Sequence, residues 1–226
     1  DICHRNGRGV GCPMRILAVS DVELGLLYNA SVADRFKGID LILSCGDLRY
    51  SYLEYLVSML NVPLYYVLGN HANQIEHTVA GPKRAPDGGV NLHMRSICYK
   101  KLLIAGFEGC LQYNNGPFQY TQSEMWTKVF LQVPKFFFNK IRYGRYLDVL
   151  ITHAPPWKIH DEDDRPHVGI KAFRWLDKVF QPAYHLHGHI HVYRNDVTIK
   201  TRLGKTTIQN VYGYQEIKIF PGSNLD

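Results

Sequence analysis

No apolar run in the 226 residues approaches the ~20 that a membrane-crossing helix needs. The chain does not open on a basic stretch followed by an apolar segment, so a secretory signal is not expected. Cysteine is scarce: Cys3, Cys12, Cys45, Cys98 and Cys110 make an odd number at wide spacings, with no Cys-x-x-Cys pair. That excludes a disulfide framework as the organising principle and points to a reducing compartment, the cytoplasm by default. Long runs of one charge are missing too. The formal net charge is +6, but Lys and Arg are scattered and form no basic arm, so neither a membrane nor a nucleic-acid partner is expected. The sequence shows no repeat, no low-complexity tract and no internal linker.

What is present is the composition of a globular protein, 46% hydrophobic and 20% charged. Residues 1–13 are rich in Gly and Arg without periodicity and read as a flexible N-terminal extension. Residues 14–226 are long enough for one α/β domain with a sizeable core. Short apolar runs at residues 15–19, 40–45 and 63–68 suit strands buried on both faces. Between them, residues 31–37, with Ser31 as cap, and residues 50–60 read as helices. The resulting β-α-β-α-β order ends each strand on polar residues: Asp21 and Glu23, then Gly46-Asp47, then Gly69-Asn70-His71. Ligand sites of open α/β sheets lie at these carboxyl ends. Turn signals make residues 72–95 a loop. Residues 97–105 read as a hairpin and 121–139 as a helix interrupted by Pro134. A fourth buried strand at 146–151 ends on Thr152-His153. Residues 169–180 form a helix, and 206–212 and 216–220 are closing strands.

The densest stretch is residues 184–191, where His185, His187, His189 and His191 alternate. In a strand all four share one face, and Gly188 allows the backbone to turn the last imidazoles toward a common point. Alone, such a run is more simply a polar strand face. The other strand ends change that reading by supplying Asp21, Glu23, Asp47, Asn70 and His153 to stand with His187 and His189. Two divalent ions about 3.5–4 Å apart need about this many ligands, one of them a bridging carboxylate, for which Asp47 is placed. Mixed Asp, Asn and His donors suit Mn, Fe, Zn or Co over Ca. Such a pair lowers the pKa of a shared water from about 15.7 toward neutrality, giving hydroxide at working pH, and holds phosphate oxygens during transfer. His71 follows Asn70 and is better placed above the ions, as a cation against phosphate or as the acid for the leaving oxygen.

The order Asp21-x-Glu23, Gly46-Asp47, Gly69-Asn70-His71, Thr152-His153, His187-Gly188-His189 resembles the calcineurin-like metallophosphoesterases, whose pattern is D-x-H, G-D, G-N-H-[DE], a lone H and G-H-x-H. The resemblance spans about residues 14–193. It implies a four-layer α/β/β/α sandwich, two metal ions and hydrolysis of phosphomonoesters or phosphodiesters. Carried over, Asp21, Asp47 and His189 hold one ion, Asp47, Asn70, His153 and His187 hold the other, and His71 is the catalytic histidine. The segment Thr152-His-Ala-Pro-Pro156 followed by His-Gly-His-Ile-His is similar to the small, class III-like phosphodiesterase branch. Two positions depart from the pattern. Glu23 stands for the first-motif His: it is a substitute ligand, a group behind the ligands, or the sign of a weakened first position. A carboxylate there favours Mn or Mg over Zn. Ala72 replaces the acidic residue after Gly-Asn-His.

Several readings stay open. Arg49 is close enough in sequence to reach a phosphate, or to pair with Glu54 or another carboxylate. His93, Tyr113, Asn114, Asn115, Gln119 and Tyr120 either line the pocket or lie in ordinary loops. His185 reads as core, and His191 as a group orienting a neighbour. His160 and His167 flank a charged loop at 161–164, and the run 136–138 of Phe is core or a partner-facing patch. The expected function is a metal-dependent phosphoesterase acting on a small phosphoester with two divalent ions, Mn foremost. A catalytically silent scaffold on the same fold is the alternative, motivated by Glu23 and Ala72.

Overall fold

The computed structural model describes residues 13–72, 75–79, 81–194 and 196–222. Apart from Pro13, the expected N-terminal extension lies outside them. Strand β1 (Met14–Ser20) leads through the short helix α1 (Val32–Arg35) to β2 (Leu41–Ser44), and α2 (Tyr50–Leu60) leads to β3 (Leu64–Tyr66). Residues 72–95 are not all loop. They hold β4 (Glu76–Thr78) paired with β5 (Gly81–Lys83), and β6 (Gly89–Asn91), which extends the first sheet beside β3.

The second sheet begins with a hairpin of β7 (Arg95–Tyr99) and β8 (Leu102–Phe107). Its turn is Lys100-Lys101, both left-handed at φ +44° and +71°, the form whose twist matches flanking strands. Two short strands, β9 (Cys110–Leu111) and β10 (Gln119–Tyr120), precede the helix α3 (Gln122–Tyr143). The chain closes with β11 (Val149–Thr152), α4 (Lys171–Phe180), β12 (Tyr184–His187), β13 (Lys200–Leu203), β14 (Thr206–Asn210) and β15 (Gly213–Ile219).

The first sheet runs β15-β1-β2-β3-β6 and the second β13-β14-β12-β11-β8-β7. Alternation along β1 shows how they stack. Ile16 and Ala18 face a core shared with Leu43, Ile104, Ile151 and Leu186 of both sheets, whereas Leu17 and Val19 face Leu53 and Leu56 of α2. On the far side, Leu103, Ala105 and Phe107 pack on Met125, Val129 and Phe136 of α3 and Phe173 and Leu176 of α4. The layers are therefore α/β/β/α, with the central strands β1, β2, β8 and β11 buried on both sides as their continuous apolar runs require. The parallel strands β1, β2, β3 and β8, β11, β12 bring their carboxyl ends to one rim of the sandwich.

Helix α3 is continuous through Pro134, contrary to the expected interruption. Thr121 and Glu124 form a capping box that fixes its start, and Met125, Val129 and Phe136 anchor it on both sides of the proline.

Candidate metal centre

The rim is stitched before any ligand is placed. Asp21 N–H donates to the Gly46 carbonyl at 3.1 Å, Gly109 N–H to Leu68 at 2.8 Å, and Gly188 N–H to His153 at 3.0 Å. The loops after β1, β2, β3, β8, β11 and β12 are thus tied to one another across both sheets. Three of the expected ligands sit in left-handed backbone: Asp21 at φ +65°, Asp47 at +56° and His189 at +68°. Each such conformation costs a non-glycine residue about 1–2 kcal/mol, and strain of this kind collects at functional sites. Two glycines make room for them. A Cβ on Gly69 would lie 2.1 Å from Asp47 Oδ1, and one on Gly188 would lie 2.0 Å from Ser20 Oγ and 2.5 Å from Asp21 Oδ2.

His153 is the hub. It is fully buried, and its Nδ1 lies 2.8 Å from the Cys45 carbonyl, an acceptor only, so Nδ1 carries a proton. Nε2 then faces Asn70 Oδ1 at 2.9 Å and Asp47 Oδ2 at 3.1 Å. Asn70 is held with its oxygen inward because its Nδ2 donates to Tyr113 Oη at 3.1 Å. Three acceptor atoms therefore converge on one point. Only a cation resolves that, either a proton on His153 or a metal ion, and the donor set fits a divalent ion. Asp21 and Asp47 together with His153 form a group whose ligand atoms all lie within 4.8 Å of one another.

The ionisation follows from the same contacts. In the bare protein, burial works against a charged His153, but the Asp47 and Asp21 carboxylates and the Cys45 carbonyl together outweigh it and raise the imidazole to about 9. Burial likewise pushes Asp47 up, yet His153 and the His71 amide hold it below the usual carboxylate range. Asp21 is raised by burial, only partly offset by His153. His71 donates its backbone N–H to Asp47 Oδ1 at 2.9 Å, and this exposed residue lines the cleft.

His189 joins this group. Its ring packs edge-on to His153 at 4.9 Å, its backbone N–H donates to both Asp21 oxygens at 3.1 Å, and Nε2 donates to the Pro166 carbonyl at 2.8 Å. Nδ1 is thereby left as an acceptor, and burial lowers the imidazole to about 3, the neutral form a metal needs.

His187 does not join it, and this corrects the expected ligand set. His185 and His187 share a strand face, and that face turns toward α4, where His185 Nδ1 meets Asp177 at 2.8 Å. His187 uses Nδ1 on the Gly188 carbonyl at 3.0 Å and Nε2 on His160 Nδ1 at 2.9 Å. The literal Gly-His-x-His run is Gly188–His191, so its second histidine is His191, which stands exposed with Nδ1 2.7 Å from Tyr193 Oη and its ring 5.0 Å from that of Tyr212.

Glu23 lies at the cleft but is engaged. Arg49 donates Nε to Glu23 Oε1 at 2.7 Å and Nη2 to Oε2, and this pairing holds the carboxylate below its usual range. Arg49 thus pairs with Glu23, while Glu54 binds Lys83 at 2.6 Å. The open cleft, about 320 Å³, is lined by Asp21, Glu23, Asp47, Arg49, His71 and Glu76, among others. Glu76 went unnoticed in the sequence because it lies in a stretch read as loop. Its carboxylate accepts Tyr50 N–H at 2.5 Å and Ser51 N–H at 3.3 Å, capping α2 beside the site. His93 lies in a separate cluster, stacked on Tyr120 and bonded to the Glu108 amide at 3.1 Å.

A family model described as calcineurin-like phosphoesterase matches residues 14–193. Among solved structures, TT1561 of Thermus thermophilus aligns with a TM-score of 0.57 at 15% identity, covering 92% of this chain and 99% of that one. A hypothetical protein from the same organism aligns at 0.48 and 19% identity, covering 88% and 76%. GAP50, the anchor in the inner membrane complex of Plasmodium, aligns at 0.49 and 12%, covering 89% and 72%. A search of curated proteins finds no match.

Proposed function

We propose, because the chain belongs to the calcineurin-like phosphoesterase family, that this centre hydrolyses phosphodiesters with two divalent ions, Mn foremost. Family membership carries the coarser statement, a metal-dependent phosphoesterase-type hydrolase. The single observation that supports a metal at this centre is that Asn70 Oδ1 and Asp47 Oδ2 both lie within 3.1 Å of His153 Nε2. We assign Asp47, Asn70, His153 and His189 to one ion. Asp21 and Asp47, with His191 as the second histidine of the Gly188–His191 run, go to the second. Glu23 joins that second set only when Arg49 releases it.

Bound divalent ions supply Lewis acidity toward phosphoryl oxygens and acidify water. The chain's own groups do the rest. Asp47 is fixed by the His71 amide and by His153, so its carboxylate is aimed before substrate arrives. The His71 side chain, free above the cleft, donates to the leaving oxygen. Arg49 lines the same cleft and reaches a phosphate there once it releases Glu23. The substrate is a small phosphoester. The reduced, wide-spaced Cys45, Cys98 and Cys110 suit the cytoplasm. Among the described residues no helix is long and apolar enough to cross a membrane.

The test is hydrolysis of bis-p-nitrophenyl phosphate with added Mn. His71→Ala should lose about 10²–10⁴-fold, the usual weight of a general acid, and Asp47→Ala should lose all turnover. Sustained turnover by Asp47→Ala rejects the assignment. One observation favours a silent scaffold instead: at the position of a family ligand His, Glu23 is occupied by Arg49. Full-length protein that takes up no Mn and turns over no phosphoester would establish that second reading.

A further inference from the structure

Helix α3 is apolar on two opposite faces. Met125, Val129 and Phe136 are fully buried against the second sheet. The solvent face of an ordinary surface helix is polar. Here Phe130, Phe137 and Ile141 recur at helical spacing along it, with Leu131 and Phe138 beside them, all between 50% and 86% exposed. These five are nearly half of the twelve large apolar side chains exposed among the described residues, so they form a patch and not scattered exposures.

The charge around the patch has one sign. Along α3 the patch is flanked by Lys135, Lys140 and Arg142, and from Met125 to Leu147 the chain carries no Asp or Glu. Lys128 lies over Tyr120, and Arg145 is paired with the buried Asp148. The neighbouring α4 adds Lys171, Arg174 and Lys178, and its one acid, Asp177, is fully buried against His185. Cations lie against rings at the patch edge: Lys135 over Phe138 at 5.0 Å and Lys140 over Tyr146 at 5.4 Å. Trp126 and Trp175 meet along the α3–α4 seam at 5.5 Å, half-buried.

We propose that this face docks on an anionic lipid surface, with α3 lying in the interfacial plane. An apolar stripe flanked by Lys and Arg is what such a surface holds, the rings entering the headgroup boundary and the cations meeting lipid phosphates. Indoles half-way down the seam suit the same depth. A second copy across a two-fold axis would set these cations against themselves. An acidic protein would need a pocket for each of five bulky side chains, whereas a bilayer needs none.

The test is sedimentation of the full chain with phosphatidylcholine vesicles, with and without phosphatidylserine, at low and high salt. Binding should be at least about tenfold stronger with phosphatidylserine and should weaken with salt. Leu131→Ser with Ile141→Ser should lose at least about tenfold while keeping the wild-type thermal midpoint, since these two side chains are 63% and 86% exposed. Lys135→Glu with Arg142→Glu should abolish the phosphatidylserine dependence. Binding to neither vesicle, or binding that both variants retain, overturns the proposal. A dimer in light scattering that Leu131→Ser with Ile141→Ser dissolves overturns it in favour of a second copy.

Discussion

Arg49 grips Glu23 through two guanidinium nitrogens, Nε on Oε1 at 2.7 Å and Nη2 on Oε2, so neither carboxylate oxygen faces the cleft alone. On the proposed assignment, the pair decides whether Glu23 is available to the second ion. Arg49→Ala should free Glu23 and tighten the weaker Mn site by about tenfold, the effect of one added anionic ligand. Titration calorimetry with Mn reads this directly. An unchanged or weaker second affinity would show that Glu23 is no latent ligand.

Gly188 sits where the backbone leaves β12 and passes Asp21. A Cβ there would lie 2.0 Å from Ser20 Oγ, at the end of β1, and 2.5 Å from Oδ2 of the following Asp21. Gly188→Ala should therefore displace Asp21 and the His189 amide that binds it. We expect Mn-dependent hydrolysis to drop by at least about 10²-fold, as for misplacement by an ångström. A variant with wild-type rate and metal content would show that the close approach is incidental.

The bare centre should respond to pH with a definite sign. His153 stands at about 9 against an ordinary 6.5, since Asp47 at 3.1 Å, Asp21 and the Cys45 carbonyl together outweigh burial. A raised imidazole stabilises the fold fully below pH 6.5, and that stabilisation is lost as pH climbs through about 9. A bound ion replaces the proton, so loaded protein should lose little over the same window. Thermal melts of EDTA-treated and Mn-loaded protein at several pH values check this. A metal-free midpoint that stays flat from pH 6.5 to 9 is the contrary result.

The core between the sheets supplies a stability prediction. Leu43 is fully buried beside Ile104 and Ile151. Leu43→Ala should cost about 2–5 kcal/mol by urea unfolding. A loss under about 1 kcal/mol would mean that the two sheets close over the gap.

Much of this molecule is legible in its sequence because burial on both faces leaves continuous apolar runs. Residues 50–60 are the observed limits of α2, and the polar residues after β1, β2, β3 and β11 meet on one rim. What escaped depends on tertiary context. The Lys100-Lys101 turn contains no Gly or Asn to announce its left-handed backbone. Strands β4 to β6 are three residues each and lie among turn signals. Period-two reasoning set His187 beside His189, but the strand stops at His187, and the residue past Gly188 follows a different direction. The grip of Arg49 on Glu23 spans 26 residues, a distance at which spacing says nothing.

Metal content tests the central claim most directly. Full-length wild-type protein dialysed against Mn should retain about two ions per chain, and Asp47→Ala, which removes the shared carboxylate, should retain essentially none. Wild-type protein without bound metal, or an Asp47→Ala variant that keeps both ions, would contradict the account.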